Sequence, residues 1–179
     1  MIRLRAAREA DAQRIAEIYI ETWRTTYAGA LPDRVLLDMS IERQAIYWTR
    51  AIKHGKEIIG VAEDDTAGIV AVGSGGANRT RSKTFAGEVY TLYVQPDFQN
   101  QGIGEQLLAY LFREISERGM NTAVIWVLAA NPSRFFYEAM GGKRVGERDE
   151  AMWGTTVREI AYAWLDLEAA LKTGRPGVK

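Results

Sequence analysis

The residues with the clearest chemical instruction are Gln99-Asn100-Gln101-Gly102-Ile103-Gly104. They follow a stretch with strand character and open a stretch with helical apolar periodicity. A helix start leaves backbone N–H groups without an internal acceptor, and the aligned peptide dipoles put partial positive charge there. Together these hold a phosphate. Glycines at 102 and 104 let the backbone approach such an anion with no Cβ in the way. No Lys-Ser/Thr pair follows, so this is not a P-loop, and Leu107 stands where a dinucleotide fingerprint has its third glycine. A second glycine run, Gly73-Ser74-Gly75-Gly76, leads into the polar stretch 78–84 instead of a helix, so the dinucleotide reading fails there too. Arg79, Arg81 and Lys83 in that stretch read as a solvated turn, with phosphate or substrate contact as the alternative.

Composition removes much of the remaining chemistry. There is no cysteine among 179 residues, so disulfide scaffolds, thiol nucleophiles and thiolate metal sites are absent. His54 is the one histidine, which leaves no material for a His-rich metal centre; it reads as a solvated helix-end residue. Asp64 and Asp65 read as turn residues, not metal ligands. Lys plus Arg is 23 and Asp plus Glu is 23, so no long-range field draws in nucleic acid or an anionic membrane. No run reaches the ~18 apolar residues of a membrane span, and residues 1–5 alternate instead of opening an apolar signal core. The expectation is a cytoplasmic protein with no nucleic-acid or membrane partner.

These residues need elements to position them. Ile2-Arg3-Leu4-Arg5 alternates and predicts a first strand. Ile15, Ile18, Tyr19, Thr22 and Trp23 predict an amphipathic helix that Gly29 and Pro32 break. A second helical region is predicted over 33–53, in one piece or two. Strands over 57–63, 68–74 and 85–94 follow, the first two joined by a hairpin at Asp64-Asp65 with Gly68. Leu107, Leu108, Leu111, Phe112 and Ile115 predict a helix from near Gly104 to Gly119. The near-continuous apolar run 122–128 predicts a strand covered on both faces. Strand–helix–strand order implies a parallel pair with a right-handed crossover. Asn131 is expected to cap a short helix with Pro132 at its first position, ended by Gly141-Gly142. Strands over 143–150 and 157–165 finish the sheet. One domain is expected over 1–172, with a fraying tail over 173–179.

The segment Tyr90-Thr91-Leu92-Tyr93-Val94-Gln95-Pro96, followed by Gln99-x-x-Gly102-x-Gly104, resembles motif A of the GNAT superfamily of acyl-CoA-dependent N-acyltransferases. Phe136-Tyr137-Glu138 followed by Gly141-Gly142 resembles its motif B. The resemblance implies an α/β fold (α+β in some schemes) of three layers. Its sheet is mixed, mostly antiparallel and twisted, with a central splayed parallel pair and helices on both faces. It implies acetyl-CoA as co-substrate and no metal. Leu92, Tyr93 and Val94 would offer backbone groups to the pantetheine arm, which binds like an extra strand. Gln99, Asn100, Gln101, Gly102, Ile103, Gly104 and Glu105 would hold the pyrophosphate, with the Glu105 side chain turned outward. Room for the arm requires strand 85–94 to splay from 122–128, often by a bulge.

The same resemblance suggests proton-handling groups. Glu88 lies six residues before Val94, where some members carry a glutamate general base; a strand-edge surface carboxylate is the alternative. Tyr137 matches the tyrosine that protonates the departing thiolate, and a core tyrosine beside Phe135 and Phe136 is its alternative. Glu147, Asp149 and Glu150 are other candidate bases. Asn131 stands near the family's arm-binding asparagine, six residues before Tyr137 where seven is common; capping accounts for it without a ligand. The implied function is direct transfer of an acetyl group from acetyl-CoA to a primary amine, and a covalent enzyme intermediate has no cysteine to form on. A small amine-bearing acceptor is expected, in a pocket between the 23–31 connection and strand regions around 142–156, with Trp23, Tyr27 and Trp153 as walls. A protein N-terminus or lysine acceptor remains open, as does a non-catalytic acyl-CoA-binding domain. A homodimer is common among similar proteins.

Overall fold

The computed structural model describes residues 1–80 and 84–173. Its strands are β1 (Ile2–Ala6), β2 (Ile58–Asp64), β3 (Gly68–Ala77), β4 (Gly87–Val94), β5 (Ala123–Leu128), β6 (Lys143–Met152) and β7 (Thr155–Trp164). They follow the order β1-β2-β3-β4-β5-β7-β6. β1–β2, β2–β3, β5–β7 and β6–β7 are antiparallel, and β4–β5 is the expected parallel pair. The helices are α1 (Ala12–Tyr27), α2 (Asp33–Leu37), α3 (Ile41–His54), α4 (Ile103–Glu117), α5 (Arg134–Ala139) and α6 (Leu167–Lys172). The backbone groups into two compact units, Met1–Gly75 with Thr91–Leu111, and Gly76–Tyr90 with Phe112–Lys179.

In the first unit the apolar stripe of α1 does what its spacing predicts. Ile15, Ala16 and Ile18 are buried with Trp48 of α3 and with Val61 and Val72 of the sheet. The 33–53 region is two helices, and Gly55 closes α3 in the left-handed conformation with φ +64°. The first half of α4 lies close on the sheet because β2 and β3 carry glycines beneath it. A Cβ at Gly60 would stand 2.5 Å from Tyr110, and one at Gly73 would stand 2.9 Å from Leu111. β3 runs three residues past its predicted end, to Ala77. The Asp64 turn is as expected: its Oδ1 accepts from the amides of Thr66 and Ala67.

In the second unit β5 lies between β4 and β7, and its run of apolar side chains is buried apart from the partly exposed Trp126. Three expectations need correction. Ser133 is the N-cap residue of α5, and Pro132 lies outside the helix. Asn131 instead makes a turn in which its Oδ1 accepts from the Ser133 amide at 2.8 Å, because Asn side chains bond their own backbone two residues on. Helix α6 was not anticipated, although Asp166 caps it by accepting from Ala169 N at 2.9 Å. Thr173 is tied to that helix through its amide and hydroxyl; the rest of the expected tail, 174–179, lies outside the described residues.

A charge cluster fastens β1 to β2. Arg5 donates to Glu63 at 2.9 Å and to Asp11 at 2.7 Å, and Arg3 donates to Glu63 at 2.6 Å. The hydrogen bonds from Arg5 and then Arg3 lower the Glu63 carboxyl from its ordinary 4.5 to about 2. A carboxyl lowered on folding stabilises the fold at pH above its unfolded value, and that contribution is lost as pH falls through its folded value. Thermal unfolding should therefore show Glu63→Gln less stable than wild type by a constant margin above pH 4.5, with the gap closing toward pH 2. A margin unchanged down to pH 2 would assign the difference to packing.

Candidate active site

The end of β4 and the start of α4 carry the glycine loop of the first unit. β4 leads through a short 3-10 turn, Pro96–Phe98, with Pro96 fixing its first position. Asn100 and Gly102 then take φ of +60° and +78°, a left-handed pair that turns the chain back into α4. The bond from Gln106 N to Gly102 O, at 3.1 Å, opens the helical ladder. The amides of Ile103, Gly104 and Glu105 precede it, so they have no acceptor within the helix. A Cβ built on Gly102 meets only the Gln106 amide nitrogen, at 4.0 Å, so the space beside these donors is open. Ile103 is buried with Leu107 and fixes the helix start from below. These groups fit a diphosphate: donors from the backbone, a dipole of the right sign and no side chain in the approach.

Gln99 and Gln101 turn out to brace the loop. Gln99 Nε2 donates to Val94 O at 2.9 Å, and Gln101 Nε2 donates to Asp97 O at 3.1 Å. Sequence reasoning missed Arg14, whose guanidinium donates to Ile69 O at 3.1 Å and to Gln95 Oε1 at 2.9 Å. Gln95 N in turn donates to Val70 O. The available signal was a lone arginine beside the buried Ile15 on the apolar stripe of α1. Tyr93 carries an aromatic group with it: Trp23 Nε1 donates to its hydroxyl at 2.9 Å, Tyr19 meets its ring edge-on at 5.3 Å, and Tyr27 lies 4.9 Å from Trp23. Burial pushes the Tyr19 phenol up to about 12. Two of the three expected acceptor walls thus share one cluster. The third, Trp153, sits in the β6–β7 turn with φ +53° and is 42% exposed.

In the second unit the parallel ladder is short. It covers Gly87–Val89 against Ala123–Ile125, although β4 continues to Val94 and β5 to Leu128. The pleat of β4 also slips. A Cβ at Gly87 would point at Ile115 of α4, 2.7 Å away, while Leu92 lies with Leu107 and Leu111 of the same helix around Gly73. Residues five apart on a strand of period two face opposite ways, so one extra residue is absorbed between Val89 and Leu92.

Glu88 is on the face away from α4 and is only 2% exposed. Its carboxylate is held by Arg79: the backbone amide donates to Oε2 at 2.8 Å and Nη2 donates to Oε1 at 2.8 Å. Arg79 also lies 4.0 Å over the Tyr90 ring. Arg79 therefore does more than its reading as a solvated turn allowed, and Glu88 is no surface carboxylate, because a buried charge needs a partner. Arg81 and Lys83 lie outside the described residues. Tyr137 is on the opposite face, 4% exposed, packed with Phe136, Tyr162 and Trp164. Phe135 is 56% exposed under the Arg134 guanidinium and belongs to no core around Tyr137. The other candidate bases are ion-paired, Glu147 with Arg144, Asp149 with Arg158 and Glu150 with Arg148. Among the described residues no group of acids or histidine is placed to hold a metal ion, and no helix is long and apolar enough to cross a membrane.

The chain is similar to known proteins. The model of the acetyltransferase (GNAT) family matches residues 12–142. The chain is 31% identical over 174 residues to the uncharacterized N-acetyltransferase YuaI of Bacillus subtilis (strain 168), covering 97% of this chain and 98% of that protein. The crystal structure of PaiA N-acetyltransferase from Thermoplasma acidophilum in complex with coenzyme A matches with a TM-score of 0.63 at 18% identity, over 89% of this chain and 98% of that one. The structure of yncA from Salmonella typhimurium with its cofactor acetyl-CoA matches with a TM-score of 0.69 at 21% identity, over 93% and 95%. The two structures speak to the fold. The family match spans the glycine loop, the parallel pair and Tyr137, and the YuaI match runs nearly end to end: the chain belongs to the GNAT family and is an acyl-CoA-dependent N-acyltransferase.

Proposed function

We propose that the protein transfers the acetyl group of acetyl-CoA to the primary amine of a small molecule. The observation that carries this reading is the placement of Glu88 and Tyr137 on opposite faces of the sheet in one unit. Acetyl-CoA supplies an activated thioester carbonyl. The attacking nitrogen must lose a proton and the departing sulfur gains from receiving one, so a base and an acid on opposite faces suit the two ends of the reaction. In this reading the amides of residues 100–105 and the backbone of Leu92, Tyr93 and Val94 hold the coenzyme. Glu88 accepts the amine proton directly or through water as the C–N bond forms, and the Tyr137 hydroxyl protonates the sulfur as the C–S bond breaks.

The Arg79 clamp favours a second role for Glu88, as the anchor of the polypeptide before β4. The two roles separate by pH. Glu88→Gln should lower kcat/KM by about 10²-fold at pH 7 if it is the base, with the deficit shrinking at high pH where more amine is already neutral. If Glu88 only anchors Arg79, Arg79→Ala will lower activity as much and both profiles will run parallel to wild type.

Tyr137→Phe keeps the ring's packing and removes one hydroxyl. Its kcat should fall by roughly 10²-fold, the low end for acid catalysis, because a thiol of pKa ~8.5 is already a fair leaving group. Coenzyme A affinity should be unchanged, and an unaltered kcat with chemistry rate-limiting would return Tyr137 to the core.

Gly102→Val tests the loop. Its side chain would fill the open space beside the amides and strain a φ of +78°, so calorimetry should show coenzyme A binding weakened by about tenfold or more, as for loss of charge-assisted hydrogen bonds. Equal affinity with unchanged circular dichroism would move the pyrophosphate elsewhere.

A further inference from the structure

We infer that Arg148 is a carboxylate subsite for the acceptor, which makes the preferred acceptor a small ω-amino acid with its acid group several bonds from its amine. The inference rests on the reading that the amine approaches from the face that carries Glu88.

Strand register carries that face outward from Glu88. Glu88 pairs with Val124, and Trp126 stands two residues further along β5 on the same side. Trp126 pairs with Ala161, Ala161 with Gly146, and Arg148 pairs with Glu159 one step beyond. The floor is made of small side chains: Val124, Ala161 and Ala163 are buried against Phe85 and Trp126. The indole reaches across this floor, with its Cη2 4.0 Å from where a Cβ of Gly146 would stand. The Arg148 guanidinium lies on the indole, 4.1 Å from the ring.

Arg148 is held on two sides and open on the third. Its Nε donates to Glu159 Oε2 at 2.7 Å and lies 3.1 Å from Glu150 Oε1. Glu159 is itself buried, at 8% exposure. With one plane stacked and the Nε edge taken, Nη1 and Nη2 make no hydrogen bond among the described residues. An arginine so placed presents two parallel N–H donors at carboxylate spacing, and little side-chain freedom is left to lose on binding. The Trp126 indole nitrogen is buried without an acceptor. The ring is therefore positioned for its face, against the usual demand that a buried donor be paired.

Geometry sets the length of the acceptor. From Glu88 to Trp126 is one strand across and two residues along, and the guanidinium lies about one strand further, so the two charged groups are on the order of 10 Å apart. Removing one hydrogen-bond length of ~3 Å at the guanidinium and another at Glu88 leaves ~4 Å between amine and acid. An extended ω-amino acid of about three or four carbons has that span.

Acetyl transfer to 4-aminobutanoate, butylamine and 1,4-diaminobutane tests this with the same reacting amine in each. The wild type should favour 4-aminobutanoate over butylamine by about tenfold or more in kcat/KM, mostly through KM. Arg148→Lys keeps a cation beside Glu159 but loses the fork, and the preference should fall to about twofold or less. Equal use of the first two amines, a preference for the diamine through Glu150, or an undiminished preference in Arg148→Lys each overturns the subsite while acetyl transfer stands. If coenzyme A binds and none of the amines is acetylated, both the subsite and the small-amine function fail. Where Arg148→Lys does not fold, the wild-type ratio alone decides.

Discussion

One short parallel ladder constrains how β4 can face its neighbours. Gly87–Val89 pair with Ala123–Ile125, and beyond them β4 continues with its pleat shifted by one residue. A strand with regular alternation would keep Leu92 on the same side as Glu88 and away from α4. The slip lets Glu88 face away from α4 while Leu92 and Val94 still bury themselves with Ile103 and Leu107. Backbone that is not consumed by the β4–β5 ladder is also what an added strand-like ligand needs.

Glycine governs how closely α4 lies on the strands beneath it. Gly60 and Gly73 lie under the first half of the helix, and Gly87 lies under Ile115 in the second. Each is a place where a Cβ would press on a helix side chain. Gly102 works differently: its space is open, and its positive φ reverses the chain so that unpaired amides lead into the helix. Close packing and a tight chain reversal thus use the same residue type for two separate physical reasons.

Buried carboxylates are the other organising feature. Glu88 is satisfied by Arg79 and Glu159 by Arg148, and in each pair the arginine also stacks on an aromatic ring, Tyr90 or Trp126. A buried ion pair gains little stability over an apolar replacement, but losing one partner is costly. Such pairs fix the direction of a guanidinium more than they strengthen the fold. On the face shared with Glu88, they orient two guanidinium groups.

Much of this molecule is local and was legible in sequence. The apolar stripes of α1 and α4, the Asp64 turn, the glycine closing α3 and the helix start at Gly102 each follow from residues within one or two turns, and the two motifs placed the chain in its family. α6 was readable from Asp166 and was overlooked. Tertiary structure decided the rest, because it depends on side chains far apart in the chain. Glu88 is buried because β4 lies inside the sheet, and its partner is Arg79 because the loop folds back onto it. Gln99 braces Val94 where an alignment of motifs alone makes it a ligand contact. Arg14 reaches Gln95 across eighty-one positions. The orientation of Arg148 requires β5, β6 and β7 together. Periodicity reports which side chains are buried, but what a buried charge is paired with is set only when distant strands come into register.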